Sequence, residues 1–329
     1  MRILVVSSYP PRHCGIGAYA SGQVARLRLE GHEVRVLSPP DGHGDERIEF
    51  LDGRAFRRAA ELAPGFDRVI VHFEPGIYLR RRAPWSKLRT SWSLLRLVER
   101  VPQLEVVVHE TYPAPIAWRP DHRLLRGALA RAHLQVHTQA ERTSLERAYR
   151  PRHAVGVIAH TDGIELHGRL DREAARTRLG IAPDERLWVC AGFIHPNKGY
   201  ERAILAFEEA GSPGRLVVIA SVRSQTASNV DYERWIASLC ERVLGVELLD
   251  RYVPDDEFDA WIAAADAVVL PYRRAWSSGV LARAQTIGTP AIVSNVGGLA
   301  DQAGPGDRIF HDDGELREVF EATPAGRTG

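Results

Sequence analysis

Cysteine is scarce. Cys14, Cys190 and Cys240 are the only three in 329 residues, and they are scattered without a metal-ligand spacing. An odd count and no framework exclude a disulfide-stapled scaffold and fit a reducing compartment, so a cytoplasmic protein is expected. Long apolar runs are missing as well, and none approaches the length of a membrane-spanning helix. The chain enters a strand at once (Arg2–Val6) and meets Pro10–Pro11 too early for the apolar region of a signal peptide. The histidines share no spacing that argues for a metal, and no Asp-x-Asp element sits at a strand end. Neither a metal nor a resident cofactor is therefore expected. What remains is a globular composition, 44% apolar and 26% charged, with chain enough for two α/β cores.

The net charge of +1 hides an asymmetry. Residues 1–158 carry 25 Lys and Arg against 16 Asp and Glu, a net of +9, whereas 159–329 carry 18 against 26, a net of −8. A basic first half suggests an anionic partner: phosphates, nucleic acid or a membrane surface.

Buried-type strands alternate with amphipathic helices throughout. Strands are predicted at 2–7, 34–37, 67–73, 104–108, 134–138 and 154–158, then at 187–191, 215–220, 246–249, 267–272 and 291–293. The alternation places a first Rossmann-like domain at 1–160, a linker at 161–185 and a second domain at 186–329, each a doubly wound parallel sheet.

Candidate chemistry gathers at strand ends. In 267–299 a strand ends in polar residues and Ser278–Gly279. A helix follows with Val280, Leu281, Ala284 and Ile287 on one face, and Gly288–Thr289–Pro290 stops it. Strand, small-residue loop and helix is how an α/β protein builds a phosphate site, although an ordinary βαβ unit reads the same way. After the first strand, Pro10–Pro11 and Gly15–Ile16–Gly17 lead into a helix at 18–29. A third glycine is replaced by Ala20, and the second strand runs into Ser38–Pro39–Pro40 instead of an acid, which excludes a dinucleotide fingerprint. The loop reads as phosphate-facing. Glu74, at the end of the third strand, could bind an acceptor hydroxyl or only cap the next turn. His109 ends the strand at 104–108, and Lys198 stands just before a helix, where its ammonium and the helix dipole could serve one phosphate. Tyr252–Val253–Pro254 precede the helix-start acids Asp255 and Asp256. In 80–97, Trp85, Leu88, Trp92 and Leu95 recur at helical spacing with cations on the other faces. That pattern fits a core-facing helix, the reading favoured here, or a helix lying on an anionic bilayer.

Several of these segments together resemble the retaining, nucleotide-sugar-dependent glycosyltransferases of family 4, which have the two-domain GT-B fold. The resembling residues are Leu270–Pro271–Tyr272, Ser278–Gly279–Val280–Leu281, Gly288–Thr289–Pro290, Val296–Gly297–Gly298–Leu299, the Gly15–Gly17 loop, His72–Phe73–Glu74–Pro75–Gly76–Ile77–Tyr78, His160–Gly163, Lys198–Gly199 and Val253–Pro254. The resemblance implies a cleft between the domains, with sugar transfer from a nucleotide-sugar to an acceptor hydroxyl or amine and retention of configuration. It implies that Lys198 holds the donor diphosphate with Gly15, Ile16, Gly17, Ser278, Gly279 and Val280, that Arg283 stands at the donor, where it could read a different nucleotide or form a salt bridge, that groups near Tyr252 and Val253 meet the base, and that His109 and Glu74 orient sugar and acceptor. The acceptor (saccharide, lipid-linked or small molecule) is open, no nucleic acid is expected, and 80–97 could add peripheral contact at the inner membrane face. Two family glutamates fall at Ala275 and Arg283, and a family arginine falls at Phe193. These departures keep two other readings open: a nucleotide-sugar epimerase or phosphorylase on the same scaffold, and a non-catalytic partner subunit.

Overall fold

The computed structural model describes residues 1–80, 82–110, 116, 118–167, 171–212, 214–222 and 226–322. The chain divides into two compact units, 1–165 and 166–329.

In the first unit β1 (Arg2–Val6), β2 (Glu33–Ser38), β3 (Glu46–Arg47), β4 (Arg68–Phe73), β5 (Glu105–Val108), β6 (His133–Val136) and β7 (Gly156–Val157) form one sheet in the order β3-β2-β1-β4-β5-β6-β7. Every pairing is parallel. The helices are α1 (Gly15–Leu29), α2 (Arg54–Leu62), the single turn α3 (Pro75–Tyr78), α4 (Pro84–Arg100), α5 (Pro120–Leu129) and α6 (Gln139–Tyr149). A strand covered on both faces must be apolar at every position. In β1, Ile3 and Val5 pack with Tyr19, Val24 and Leu27 of α1, while Leu4 and Val6 point into the opposite core with Phe56, Leu94 and Leu97. Tyr78 centres that second core, stacked on Phe50, Phe56 and Phe73.

The second unit repeats the plan. Strands β8 (Leu187–Phe193), β9 (Arg215–Ser221), β10 (Val246–Asp250), β11 (Ala267–Leu270), β12 (Ala291–Ser294) and β13 (Arg308–Phe310) lie in the order β10-β9-β8-β11-β12-β13. They are all parallel. Around them run α7 (Arg172–Leu179), α8 (Tyr200–Glu209), α9 (Ala227–Arg242), α10 (Asp255–Ala264), α11 (Gly279–Ile287), the short α12 (Leu299–Gln302) and α13 (Asp313–Glu321). The expected fold class, two Rossmann-like doubly wound domains, is what the chain adopts. In both sheets the order reverses beside the first strand, between β1 and β4 and between β8 and β11. The carboxyl ends of those strands are where doubly wound sheets bind ligands.

Two local expectations differ from the structure. The stretch 161–185 is not an unstructured linker, because α7 lies inside it, capped by Asp171 (Ala174 N–H to its carboxylate, 2.8 Å) and ended by Gly180 in the left-handed region. Its buried residues are Ala175 and Arg176, so it shows no apolar stripe in sequence. The tryptophans of the stripe Trp85–Leu88–Trp92–Leu95 do not face the core either, although Leu95 packs against it in part. Trp85 is 75% exposed and Trp92 51%, whereas Ser86, Thr90, Ser91, Ser93, Leu94, Leu97 and Val98 are buried. Small hydroxyl residues let α4 approach its neighbours closely: a Cβ on Gly53 would sit 2.4 Å from Ser93 Oγ and 2.9 Å from the Arg89 carbonyl oxygen. Packing distance, not hydropathy, selects the buried face here.

Candidate functional site

In the second unit the site is built on β8 and β11. Near its end β8 passes Gly192, at φ +130°, and the chain then makes a single turn in which His195 accepts from the Asn197 N–H. The next residues are Lys198 and Gly199, the latter at φ +61°. A Cβ on Gly199 would stand 2.3 Å from the Pro271 carbonyl oxygen, so only glycine lets this turn press against the end of β11. The approach places Lys198 Nζ 3.9 Å from the centroid of the Tyr272 ring, within cation–π range. Tyr272 is buried, and its hydroxyl lies 3.4 Å from Ser278 Oγ. Ser278 in turn caps α11 by accepting from the Leu281 N–H, and Gln302 holds the Ser278 backbone on both sides. An α-helix leaves its first N–H groups without intrahelical partners, here those of Gly279 and Val280, and the dipole adds positive potential at that end. Tyr272 thus joins two expected features, the Lys198 cation and the α11 start. Sequence reasoning quoted Tyr272 without assigning it a role; its signal was the Pro–Tyr pair at a strand end.

Other expected residues stand differently. Val253, after β10, is buried in the core, so only its backbone can meet a ligand, while Tyr252 is exposed. Asp255, Asp256 and Glu257 line the first turn of α10, but the cap position is Pro254 and no side chain caps it. Arg283, expected beside the donor, is instead engaged within the unit. It is 8% exposed, and its Nη1 donates to Asp259 Oδ1 at 2.6 Å, tying α11 to α10. A second cation that sequence reasoning missed, Arg273, stands close to Lys198: its N–H donates to the Asn197 carbonyl, and its guanidinium pairs with the buried Glu201.

In the first unit the candidates gather at β1, β4 and β5. No side chain caps α1, so the N–H groups of Gly15, Ile16 and Gly17 open its first turn with helix geometry leaving them unpaired. Gly17 allows close approach, since a Cβ there would lie 3.2 Å from Tyr9 N and 3.3 Å from the Ser8 carbonyl carbon, a tight contact. Gly15 is exposed, and the Ile16 side chain packs on the core. Glu74 caps α3, its Oε1 accepting from the Gly76 N–H at 2.6 Å. His109 N–H donates to the Phe73 carbonyl, and the register Phe73–Val108 sets Glu74 and His109 side by side at adjacent strand ends.

The His109 ring belongs to a cluster no spacing announced. His72, His109, His137 and His160 surround Tyr19, each ring edge-on to it with centroids 5.0–5.6 Å away. Burial disfavours the imidazolium in all four. His72 is pushed down to about 3 and His137 to about 4, and His109 and His160 fall well below the usual histidine range. His109 therefore presents a neutral ring, a hydrogen-bonding group rather than a cation.

Residues 185–322 match the sequence model of the family described as glycosyl transferases group 1. A curated relative, the D-inositol 3-phosphate glycosyltransferase of Jonesia denitrificans, is 33% identical over 156 residues, a match covering 44% of this chain and 34% of that protein. The chain spans between about a third and two fifths of the length of the curated relatives it matches, for instance 34% and 42%. Among solved structures, the sucrose-phosphate synthase of Thermosynechococcus elongatus has a TM-score of 0.70 at 17% identity, covering 98% of this chain and 89% of that one. Anabaena Alr3699/HepE in complex with UDP-glucose has a TM-score of 0.70 at 16% identity, covering 97% and 88%. Similarity at that identity speaks for the fold.

Proposed function

We propose that this protein is a retaining glycosyltransferase that moves a sugar from a nucleoside-diphosphate sugar to an acceptor hydroxyl or amine. The observation that carries the reading is the placement of Lys198 over Tyr272, linked through Ser278 to the start of α11, in the unit that matches the group 1 family. In glycosyl transfer from such a donor, the breaking bond to the sugar leaves one further negative charge on the departing diphosphate, beside the two it already carries. Preorganised cations and N–H groups that meet charge only as it develops are the strongest catalytic device available to a site of this kind. Within the second unit, Lys198 and the Gly279 and Val280 N–H groups would take up that charge. Neutral His109 would accept from or donate to the transferred sugar, and Glu74 would hold an acceptor hydroxyl. The reading calls for no resident cofactor and no metal ion, the nucleotide-sugar being a co-substrate.

A thermal-shift screen with UDP, GDP, ADP, TDP and their sugars, run on the parent and on Lys198→Ala, tests it. UDP-glucose goes first because one structural neighbour, Anabaena Alr3699/HepE, is in complex with it. A ligand at about 100 times its Kd adds about 2.7 kcal/mol of stability. One nucleotide must shift the parent and leave the variant unshifted. No shift with any of them would favour the non-catalytic partner subunit, and altered sugar released without an acceptor would favour an epimerase or phosphorylase. The curated relatives' name makes D-inositol 3-phosphate the first acceptor to assay, an anion suited to the basic first half.

We further propose that the outer face of α4 docks on an anionic bilayer at the cytoplasmic side. Trp85 and Trp92 stand out from it, and Trp118, just before α5, is 81% exposed. Arg80, Arg82, Arg89 and Arg96 are exposed around them, and Arg96 lies over the Trp92 ring at 5.9 Å. Arg81, part of the same basic run, lies outside the described residues. Indole rings and cations together suit the headgroup layer. Among the described residues no helix is long and apolar enough to cross a membrane. Co-sedimentation with phosphatidylserine vesicles should fall on Arg80→Glu with Arg82→Glu, and failure of the parent to bind ends this reading.

A further inference from the structure

The buried pair behind His109 has no part in the reading above. Gln23 lies on α1 and is 5% exposed, and His72, on β4, is 0% exposed. Gln23 Oε1 stands 3.0 Å from His72 Nε2, and His72 Nδ1 stands 3.0 Å from His109 Nε2. The two imidazoles lie 21° from parallel, centroids 5.3 Å apart, and the edge of Tyr19 packs against both. Tyr19 is itself fixed: a Cβ on Gly163 would meet its ring at 2.3 Å.

We infer that Gln23 and His72 form a relay that fixes the ring orientation and tautomer of His109. The polarity follows from donor and acceptor inventory. An amide oxygen can only accept, so His72 must donate from Nε2. A neutral imidazole has one N–H, and full burial keeps His72 neutral, so its Nδ1 carries a lone pair. That lone pair must accept, so His109 donates from Nε2. The proton of neutral His109 is thereby used, and Nδ1 is left as the ring's acceptor. His109 then takes a hydrogen bond from a ligand hydroxyl rather than giving one to a ligand oxygen. Gln23 and His72 are positioning residues in this scheme, since neither touches the ligand. The part that concerns sugar rests on the transferase reading; the tautomers do not.

The test has two arms. Nitrogen-15 NMR of ring-labelled histidines should show His72 and His109 of the parent protonated at Nε2. Gln23→Glu, which also offers an acceptor, should keep both tautomers. Gln23→Leu removes the acceptor and should leave His109 a mixture of tautomers, with kcat for transfer about tenfold lower and KM little changed, the size of one misplaced hydrogen bond. A parent His72 protonated at Nδ1 overturns the relay, as does Gln23→Leu that keeps both tautomers and the parental kcat. If the NMR arm comes out as expected and no nucleotide-sugar supports transfer, the relay stands and the transferase reading falls.

Discussion

The two units share a strand plan and differ in how they keep titratable groups out of water. The first holds ten of the thirteen histidines and keeps four as neutral rings around Tyr19, two of them, His72 and His137, buried. The second holds three, His167, His195 and His311, all exposed, and buries opposite charges together instead. Arg283 meets Asp259 and Arg176 meets Asp266, while the exposed Arg273 reaches the buried Glu201. A neutral ring needs no counter-charge but is penalised once the unfolded chain can bind a proton that the folded one refuses. A buried pair tolerates its charges only while both partners remain. The same kind of sheet thus carries neutral hydrogen-bonding rings in one unit and paired charges in the other. The proposed transfer calls for such a division between sugar positioning and diphosphate binding.

The largest effect should be a pH effect confined to the first unit. His72 titrates near 3 and His137 near 4 in the folded chain, against about 6.5 when unfolded. Below about 6.5 the unfolded state binds more protons, so stability is retained above that pH and lost as pH falls toward 4. Each histidine held neutral should lose about 2 kcal/mol between pH 7 and pH 5. Hydrogen exchange at the two pH values should show protection falling in β1, β4 and β5, with a smaller change in β8 and β11. Equal losses in both sheets would remove the distinction.

Next in size is Arg283→Ala. It leaves Asp259 buried without its guanidinium partner, the His167 N–H still donating to Oδ2, and stranding one half of a buried pair costs about 3–5 kcal/mol. Because the guanidinium is committed to α10, nucleotide affinity of the folded variant should stay near the parent's. A stable Arg283→Ala with weakened nucleotide binding would return Arg283 to the donor site.

That pairing also shows what the sequence could and could not say. β1 and β8 read as strands because near-continuous apolar runs between turn residues have few other uses, and Gly288 does stop a helix. Candidates at strand ends were legible for the same reason: topology carries strand ends to one edge whatever the side chains are. Partnerships across the fold were not legible. Asp259 lies 24 residues before Arg283, and Gln23 lies 49 before His72. No periodicity links residues whose meeting depends on helix packing. The face of α4 was misjudged because two tryptophans outweigh serine and threonine on any hydropathy scale, while close helix approach rewards small side chains.

Lys198→Ala should lower kcat/KM for transfer about a hundredfold, the size of one lost charge-stabilising donor. It should also abolish the nucleotide thermal shift. His109→Ala sharpens the contrast, because a neutral group lost from the first unit should reduce kcat while leaving the nucleotide shift near the parent's. If both variants lost the shift equally, the two units would not divide the work as described.

The smallest predictions concern two caps of equal strength. Thr138 caps α6 in a reciprocal box with Glu141, and Ser278 caps α11 by accepting from the Leu281 N–H. Replacing either by alanine removes one acceptor for an orphan N–H and should cost about 1 kcal/mol by denaturant titration. The caps differ in what else they hold. Ser278 Oγ also lies beside the Tyr272 hydroxyl, on the ring that carries Lys198, so Ser278→Ala loosens the α11 start and the Lys198 wall together. Ser278→Ala should therefore weaken nucleotide binding about fivefold, a further hydrogen bond's worth, while Thr138→Ala should leave it unchanged. Equal nucleotide affinities in the two variants would mean that the α11 start is only a helix end, with the phosphate held by Lys198 alone.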